Sequence, residues 1–467
     1  MKLFVPTVGP IVGHTTHNEA RLWFRGRFEA TQPNGYRRCF GAVRWREQNQ
    51  NWLGQRVGKL SPNFDMTGVF PLLQLKPFTI YEYQAGWFLV DSELDSVQKI
   101  QFEWDALPVQ QFRTGVDTIN APQSVVVGSC RYLLKLFGGE IFDDRGDKTF
   151  HSILVQHRAR PLDAVLMVGD QIYADDLSFV SPDKKLGQFL ERYQIVFSQD
   201  HIRRLMSEVP TYMILDDHEI EDNWPIKATG KDMTTLYPHA IHAYQIYQCS
   251  HSPVFDLDKQ GWVAGTPTHF WYTFSQGCAD WFVMDTRTER LWHPDETRRQ
   301  MIKSTQMTAL LQWLADGSGR VKMVVSSVPF IPDLQNDADD KWGAYRAERS
   351  QILDFILESQ IRRVVFVSGD VHCSFTTEIN SPDDPQFKVH GIVSSSLFWP
   401  YPHMEQNDFI FKGELGTAGK YRYLMGKSSK VQSLDNFARL DIDPSSVRVT
   451  YHERKGKVLG KPVTLTL

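Results

Sequence analysis

The segment Ala164-Val165-Leu166-Met167-Val168-Gly169-Asp170-Gln171-Ile172-Tyr173 contains five apolar residues followed directly by a glycine and a carboxylate. A short apolar run of this kind is typical of a strand that is buried on both faces. Similar runs recur further along the chain, and helix-like segments lie between them. The runs occupy residues 125–127, 164–168, 212–215, 281–284, 323–325 and 364–367, and the clearest helical segments are 304–316 and 344–359. This alternation predicts an α/β domain over residues 120–467.

A polar cluster follows each of these apolar runs, and the clusters hold the candidate metal ligands. These ligands are Cys130, Asp170, Tyr173, Asp217, Asp370 and His372. Because ligands bind outside the carboxyl ends of the strands in open α/β sheets, we expect these side chains to converge. So many anionic groups would repel one another unless a cation lay among them. One ion rarely needs six protein ligands of mixed type, so the pattern favours two ions, an arrangement suited to phosphoryl displacement by a metal-bound hydroxide.

Four of the polar clusters contain the candidate ligands, at residues 129–130, 169–173, 216–219 and 369–372, and we call these the four motifs. Each motif has a simpler structural interpretation when it is taken alone. Asp-His pairs often cap turns, and a Gly-Asp pair after a strand is common. A lone cysteine after a strand is usually a small buried apolar residue. The four motifs occur in one order, each after an apolar run, and this combination favours the metal site.

Residues 1–115 have the character of an all-β domain, with residues 115–123 as the linker to the α/β domain. Its most specific feature is Leu75-Lys76-Pro77-Phe78-Thr79-Ile80-Tyr81-Glu82-Tyr83. The spacing L-x-P-x-T-x-Y-x-Y resembles the tyrosine corner of fibronectin type III and immunoglobulin-like sandwiches, in which a Tyr hydroxyl bonds back to the backbone. We therefore predict an N-terminal β-sandwich; the alternative is a tyrosine-rich hairpin.

The composition excludes several classes of protein. The net charge of −4 argues against a broadly basic surface for nucleic acids. The five cysteines are odd in number and widely spaced, which makes a disulfide scaffold improbable. No stretch approaches the ~18 apolar residues of a membrane helix, so no membrane partner is expected. The first residues show neither an apolar signal core nor a twin-arginine signal, which predicts a cytoplasmic protein. The sequence does not indicate an oligomeric state.

The four motifs resemble those of the PhoD-like alkaline phosphatases (alkaline phosphatase D), within the calcineurin-like metallophosphoesterase superfamily. The superfamily carries D-x-H, G-D-x-x-D/Y, G-N-H-D/E and G-H-x-H in this order, and the PhoD-like members replace three of them by S-C, D-D-H-E and G-D-x-H. The matching segments here are Ser129-Cys130, Gly169-Asp170-Gln171-Ile172-Tyr173, Asp216-Asp217-His218-Glu219 and Gly369-Asp370-Val371-His372. The resemblance spans essentially the whole chain, including the N-terminal β domain. It implies a catalytic core of two sheets flanked by helices.

The resemblance also implies roles for the site residues. Asp170 would bridge two metals and serve the chemistry directly. Cys130, Tyr173 and His372 would complete the first site, and Asp217 and Asp370 would belong to the second. His218 would lie beside the leaving-group oxygen or a phosphate oxygen, as a catalytic and substrate-binding residue. The family typically uses ferric iron with calcium, and Mg²⁺, Mn²⁺ or Zn²⁺ are the alternatives.

Two departures from the family pattern stand out. Family members are usually exported, and the absence of a recognisable leader weakens the usual role in scavenging external phosphate. The superfamily also places a metal-binding histidine before the turn of its fifth strand, where this chain has Ser327-Val328-Pro329. A site formed by carboxylates alone favours calcium. The alternative is that a distant His239 or His242 supplies a nitrogen.

The predicted reaction is hydrolysis of a small phosphate ester, most simply a monoester. Arg131 or Arg287 would hold non-bridging phosphoryl oxygens by charge-assisted hydrogen bonds. The alternative for each arginine is a structural ion pair with a nearby aspartate. The alternative activity is that of a phosphodiesterase, phospholipase-D-like in outcome. A non-catalytic binding protein would have lost metal ligands, whereas all six candidate ligand positions here hold residues that can bind a metal.

Overall fold

The computed structural model describes residues 1–27, 38–90, 100–133, 135–136, 140–141, 145–176, 182–336 and 339–467. Seven strands precede residue 115 in this part of the chain: β1 (Val8–Thr15), β2 (Glu19–Arg25), β3 (Arg38–Glu47), β4 (Gly54–Leu60), β5 (Thr67–Leu73), β6 (Ile80–Val90) and β7 (Gln110–Arg113). They form two antiparallel sheets, of order β1-β2-β5 and β4-β3-β6-β7. Leu22 and Phe24 of one sheet share an apolar core with Val43 and Tyr83 of the other. The predicted N-terminal β-sandwich is confirmed.

The tyrosine corner lies at the start of β6. The Tyr81 hydroxyl accepts a hydrogen bond of 2.9 Å from the backbone N–H of Lys76, five residues earlier in the chain. The Tyr81 ring is buried and stacks on Phe112 of β7, with ring centroids 5.9 Å apart. The bond therefore ties the loop before β6 to the sandwich core, as the spacing of the motif predicts.

The sandwich packs closely against the rest of the chain. The Trp23 indole donates a hydrogen bond of 2.9 Å to the Ile246 carbonyl, and the Tyr83 hydroxyl donates one of 2.8 Å to the Ser207 carbonyl. Trp23 also belongs to the same apolar core as the strands that follow residue 120. The boundary between residues 115 and 120 stays a prediction, but the described residues on its two sides share one core.

The strands after residue 120 build the rest of the molecule. In the described residues they are β8 (Gln123–Gly128), β9 (Lys135–Leu136), β10 (Glu140–Ile141), β11 (Ala164–Val168), β12 (Thr211–Ile214), β13 (Asp256–Leu257), β14 (Val263–Ala264), β15 (Tyr272–Gln276), β16 (Ala279–Val283), β17 (Val321–Ser326), β18 (Asp333–Leu334), β19 (Val364–Ser368), β20 (Phe375–Ser381), β21 (Asp384–Val393), β22 (Phe409–Ile410), β23 (Leu424–Ser428), β24 (Asn436–Asp443), β25 (Ser446–Glu453) and β26 (Val458–Thr466). All six apolar runs noted in the sequence are strands: β8, β11, β12, β16, β17 and β19.

Two large sheets contain most of these strands. The first has the order β12-β11-β8-β24-β25-β26, with β8, β11 and β12 parallel. The second has the order β15-β16-β17-β19-β21-β20-β23, with β16, β17, β19 and β21 parallel. Strands β24, β25 and β26 are antiparallel to their neighbours. This is the two-sheet α/β core that the resemblance implies.

Helices lie between the strands in the sequence. They are α1 (Arg145–Ala159), α2 (Leu186–Phe197), α3 (Asp200–Glu208), α4 (Gly230–Thr234), α5 (Leu236–Tyr244), α6 (Ser304–Ala315) and α7 (Arg346–Glu358). The predicted helices over 304–316 and 344–359 correspond to α6 and α7. In the described residues, no helix is both long and apolar enough to cross a membrane.

Alternation along the strands explains how the layers stack. Met323 and Val325 of β17 point into the core that contains residues of both large sheets. Val324, between them, belongs to a separate core with Leu310 of α6 and Ile352 of α7. Since neighbouring side chains of a strand point to opposite faces, one apolar run can serve both the sheet-on-sheet and the helix-on-sheet interface. Both faces of β17 are therefore covered, and its end is the open side where polar residues gather.

Candidate metal centre

The predicted ligands follow the ends of four strands. Cys130 comes after β8, Asp170 after β11, Asp217 after β12 and Asp370 after β19. Three of them have left-handed backbone conformations, with φ of 57° for Cys130, 54° for Asp170 and 72° for Asp370; His372 has a φ of 49°. Such values are uncommon outside glycine and cluster at functional sites. The backbone thus turns sharply where each strand ends and directs these side chains to one place.

Two glycines permit the close approach of these turns. Gly169 has a φ of 103°, and a Cβ at this position would lie 2.4 Å from Asp216 Cβ. A Cβ on Gly369 would lie 2.3 Å from Ser129 Oγ and 3.0 Å from the Val168 carbonyl oxygen. A side chain at either position would push apart loops that carry ligands. This is the physical reason for glycine before the aspartate in both Gly-Asp motifs.

The first position is the group formed by Cys130, Asp170, Tyr173 and His372. Asp170 Oδ2 lies 3.4 Å from Cys130 Sγ and 3.4 Å from the Tyr173 hydroxyl oxygen. The Tyr173 hydroxyl is also 3.4 Å from His372 Nε2. Cys130, Asp170 and His372 offer ligand atoms that all lie within 4.8 Å of one another. A thiol, a phenol, an imidazole and a carboxyl group thus surround one small volume.

The second position is the group formed by Asp216, Asp217 and Asp370, whose ligand atoms also lie within 4.8 Å of one another. Asp170 links the two positions, because it forms a similar group with Asp217 and His218. Asp216 Oδ2 and Asp217 Oδ1 are buried and accept no hydrogen bond, and Arg287 Nη2 lies 3.5 Å from Asp217 Oδ1. Buried carboxylate oxygens without hydrogen bonds are costly inside a protein, and a bound cation would satisfy them.

Burial sets the ionisation of the ligands when no cation is present. It raises the pKa of Asp170, Cys130 and Tyr173 well above their usual ranges, and it raises the pKa of Asp370 to about 7. Burial lowers the pKa of His372 well below its usual range, which keeps the imidazole in the neutral form that binds metals. A cation among these groups would stabilise the carboxylate, thiolate and phenolate forms. The donor set and its buried oxygens without hydrogen bonds therefore fit two metal ions.

His218 is held by a residue that the sequence did not single out. Its Nδ1 lies 3.0 Å from both carboxylate oxygens of Asp175, and its ring stacks on Tyr173 with centroids 4.3 Å apart. Because a carboxylate only accepts, Nδ1 carries the proton of this bond and Nε2 is left for the cluster. Burial lowers the pKa of His218, but Asp175, Asp217 and Asp170 outweigh burial and raise it well above its usual value. Asp175 follows Tyr173 by two residues in an acidic stretch, which was the available signal.

Glu219 ties two ligand loops together. Its buried carboxylate accepts backbone hydrogen bonds from Gln171 at 2.7 Å, Asp216 at 2.8 Å and Asp170 at 3.1 Å. It also accepts a hydrogen bond of 3.0 Å from Gln248 Nε2. The glutamate of the D-D-H-E motif thus fixes the loops after β11 and β12 relative to each other.

An aromatic and hydroxyl wall surrounds the first position. The Trp399 indole stacks on His372 with centroids 3.7 Å apart. Ser395 Oγ contacts Cys130 Sγ at 3.1 Å and accepts a hydrogen bond of 3.0 Å from the His372 backbone N–H. His403 Nδ1 bonds to the His372 carbonyl at 2.7 Å. Such outer contacts orient metal ligands and tune their basicity.

The two arginines that we predicted to bind substrate are instead buried in ion pairs. Arg131 Nη1 donates a hydrogen bond of 3.0 Å to the Val196 carbonyl, and Nη2 lies 3.4 Å from Asp147 Oδ1. Arg287 Nη2 donates one of 2.9 Å to Asp340 Oδ2. Both arginine side chains are 0% exposed. The substrate-binding role therefore does not fit this geometry, and the alternative of structural ion pairs does, because burial without such partners would leave an unpaired charge.

The distant histidines do not reach the cluster. His239 Nδ1 bonds to the Lys184 carbonyl at 3.1 Å, and His242 Nε2 bonds to the Asn63 carbonyl at 3.0 Å. Ser327, where the superfamily has a histidine, donates a hydrogen bond of 2.6 Å to Asp216 Oδ1. The residue at that turn thus supports a carboxylate of the second position.

Comparisons with known proteins identify the family and the fold of the chain. A sequence profile described as PhoD-like phosphatase matches residues 136–451. Alkaline phosphatase D of Bacillus subtilis (strain 168) is 24% identical over 259 residues, which make up 48% of this chain and 44% of that protein. The match therefore spans less than half the length of this curated relative.

Two solved structures show the same fold. A structure of PhoD superposes with a TM-score of 0.73, covering 99% of this chain and 89% of the other, at 16% identity. A purple acid phosphatase from yellow lupin (Lupinus luteus) seeds superposes with a TM-score of 0.63, covering 99% of this chain and 75% of the other, at 13% identity. These likenesses concern the fold, and the sequence profile covers more than half of the chain. The chain belongs to the PhoD-like phosphatase family.

Proposed function

We propose that this chain hydrolyses phosphate esters at a centre of two metal ions. The observation that supports this most directly is the buried cluster at the strand ends, where overlapping groups of ligand atoms lie within 4.8 Å of one another. Metal ions bound there would supply an activated water and neutralise charge on the phosphoryl oxygens. The protein would supply the shape of the site, the shared carboxylate of Asp170 and a positioned proton donor.

His218 is the proton donor in this proposal. Asp175 holds Nδ1 at 3.0 Å, so the imidazole has one fixed orientation with Nδ1 protonated. Burial lowers the pKa of His218, but Asp175, which is not a proposed metal ligand, raises it and so favours the protonated ring. A protonated imidazole next to the reacting ester can give its Nε2 proton to the departing oxygen, or donate a hydrogen bond to a phosphoryl oxygen. His218 is then a catalytic residue and Asp175 a positioning residue.

The ligand types support different ions in the two positions. The first position offers anionic sulfur and oxygen donors, Cys130 and Tyr173, with the nitrogen of His372; we propose ferric iron there. The second position offers carboxylate oxygens alone, which suits calcium, with Mg²⁺ or Mn²⁺ as runners-up. Zinc favours sites that contain imidazole or thiolate and is less suited to the second position.

A panel of substrates tests the activity. We expect purified protein to hydrolyse p-nitrophenyl phosphate faster than bis(p-nitrophenyl) phosphate, with the metal content measured on the same sample. Asp170→Asn protein prepared in the same way controls for a contaminating phosphatase. Faster hydrolysis of the diester would favour the phosphodiesterase alternative. A sample with full metal content that hydrolyses neither ester would contradict the proposed function.

The proposal also includes the cellular location of the protein. All five cysteines are free and buried, as expected for a protein of the reducing cytoplasm. We propose a cytoplasmic enzyme acting on a small phosphate ester, and fractionation of the native host cells with activity and antibody detection tests the location.

A further inference from the structure

Lys341 lies among the carboxylates of the second position. Its Nζ is 2.6 Å from Asp370 Oδ2 and 2.9 Å from Asp340 Oδ2. The contact with Asp370 is an ion pair without the alignment of a hydrogen bond. Only 7% of the lysine side chain is exposed. A buried ammonium thus contacts one of the carboxylates that we assign to a metal.

The residues on both sides of Lys341 are fixed. Asp340 accepts a hydrogen bond of 2.9 Å from Arg287 Nη2 and is also paired with Arg290. The buried Trp342 indole donates a hydrogen bond of 3.0 Å to Ser326 Oγ, at the end of β17. Both neighbours anchor the backbone at Lys341, and the ion pairs with Asp340 and Asp370 hold its ammonium near the strand ends.

The charges around the second position show why this lysine matters. Around the second position, the described ion pairs join Arg287 to Asp216, Asp217 and Asp340, Arg290 to Asp340, and Lys341 to Asp340 and Asp370. Among these three cations, Lys341 is the one that pairs with Asp370. Without Lys341, the Asp370 carboxylate would keep its full negative charge for a divalent ion. Uncompensated charge is costly in a buried site, so the ammonium and a second metal compete.

We propose that Lys341 is an internal competitor of the second metal: its ammonium pairs with Asp370 and lowers the affinity of the second position for a divalent cation. The inference rests on the proposed metal centre and adds a determinant of its occupancy. The second ion is then held more weakly than the first. The usual role of an outer partner, which is to orient a metal ligand, predicts the opposite effect on affinity.

Calcium titration of the purified protein tests this competition. The metal content of each protein is measured after dialysis. The vacant second position is then titrated with CaCl₂ by calorimetry. We expect Lys341→Gln, which removes the charge, to bind calcium at least about tenfold more tightly than wild type. Lys341→Arg, which keeps the charge, should bind calcium as weakly as wild type. Unchanged or weaker binding by Lys341→Gln would overturn the proposal.

Lys322→Gln is a matched control. Lys322 is also buried and pairs with an aspartate, Asp280, at 3.2 Å, but it lies at the other end of β17. Lys322→Gln should leave the calcium affinity unchanged. Tighter calcium binding by this variant would mean that the effect does not depend on the contact with Asp370. If Lys341→Gln does not fold, wild-type protein is treated with a calcium chelator and the metal left in each position is measured. The proposal expects the second ion to be lost first. Equal retention of metal in both positions would contradict the competition. Wild type without any bound metal would instead contradict the proposed function itself.

Discussion

Asp170 links the first and second positions, which lie at the same buried edge but offer different kinds of donor atom. In the first, Cys130, Tyr173 and His372 bring three kinds of donor atom, and the outer contacts come from hydroxyl groups and aromatic rings. In the second, the donors are carboxylate oxygens, and the outer contacts come from cationic side chains.

This difference has a consequence for how tightly each ion is held. In the first position, ligand identity would select the metal, because thiolate and phenolate are uncommon donors for hard divalent ions. In the second position, Arg287 and Lys341 already neutralise part of the carboxylate charge. The carboxylates therefore attract a metal ion less strongly. We therefore expect a permanent first ion and an exchangeable second ion.

Loss of the shared ligand should have the largest effect, because it damages both positions. Asp170→Asn should reduce hydrolysis to the background of the assay and lower the metal content, with little change in the circular-dichroism spectrum. Among the described residues, Asp170 belongs both to the ligand group of Cys130 and His372 and to the group of Asp217 and His218. Near-normal turnover with full metal content would refute the assignment.

Selective removal of the second ion should come next. Treatment with a calcium-selective chelator should abolish most of the activity while the first ion stays bound, because the second position has only oxygen donors and competing cations. Adding calcium back should restore activity, whereas zinc should not. Restoration by zinc alone would mean that the second position is not an oxygen site of this kind.

Replacement of the proton donor should lower turnover without emptying either position. His218→Ala should reduce kcat by roughly 10²–10⁴-fold, as for a lost general acid or base. The loss should be smaller for nitrophenyl esters than for alkyl esters, since a good leaving group needs less protonation. An equal loss for both classes would exclude the general-acid role.

A smaller effect should follow from loss of the residue that orients the imidazole. Asp175→Asn should reduce kcat by about ten- to a hundredfold, because the ring remains but its tautomer and protonation are no longer fixed. A positioning role requires the same dependence on leaving group as His218→Ala. A uniform loss across leaving groups, with a lower melting temperature, would indicate a structural role alone.

Tyr173→Phe, in the first position, should have the smallest effect on activity. It should also have the most specific effect on the absorption spectrum. Iron bound by phenolate and thiolate should give a visible charge-transfer band. Tyr173→Phe should shift or weaken this band, while Lys341→Gln should leave it unchanged. A colourless, fully active protein without iron would contradict the ferric assignment and leave the two positions less different than we propose.

The convergence of the candidate ligands could be predicted from the sequence because their signals are local. Gly169-Asp170 and Gly369-Asp370 stand directly after apolar runs, and the runs proved to be β11 and β19. Strand ends of parallel sheets are brought to one edge by topology, so order along the chain was enough to predict convergence. The tyrosine corner was predictable for the same reason, because Tyr81 bonds to a backbone group only five residues away.

The direction of each side chain was decided by the tertiary structure. Arg131 follows a ligand directly, yet its guanidinium enters the core beside Asp147. Arg287 follows β16 but pairs with carboxylates of two other loops. Sequence proximity to a ligand fixes where the Cα lies, whereas the rotamer depends on which partners surround it.

Apolar periodicity and short motifs were enough to predict the fold class and which candidate ligands would stand at the strand ends, because both signals are local. Only the tertiary structure decided that Asp175 orients His218 and that Lys341 contacts Asp370. Both contacts join loops that are distant in the sequence. No local sequence pattern predicts the partner of a buried charged residue. The balance of charge in the second position, and therefore its affinity for metal, is a property of packing that no single segment encodes.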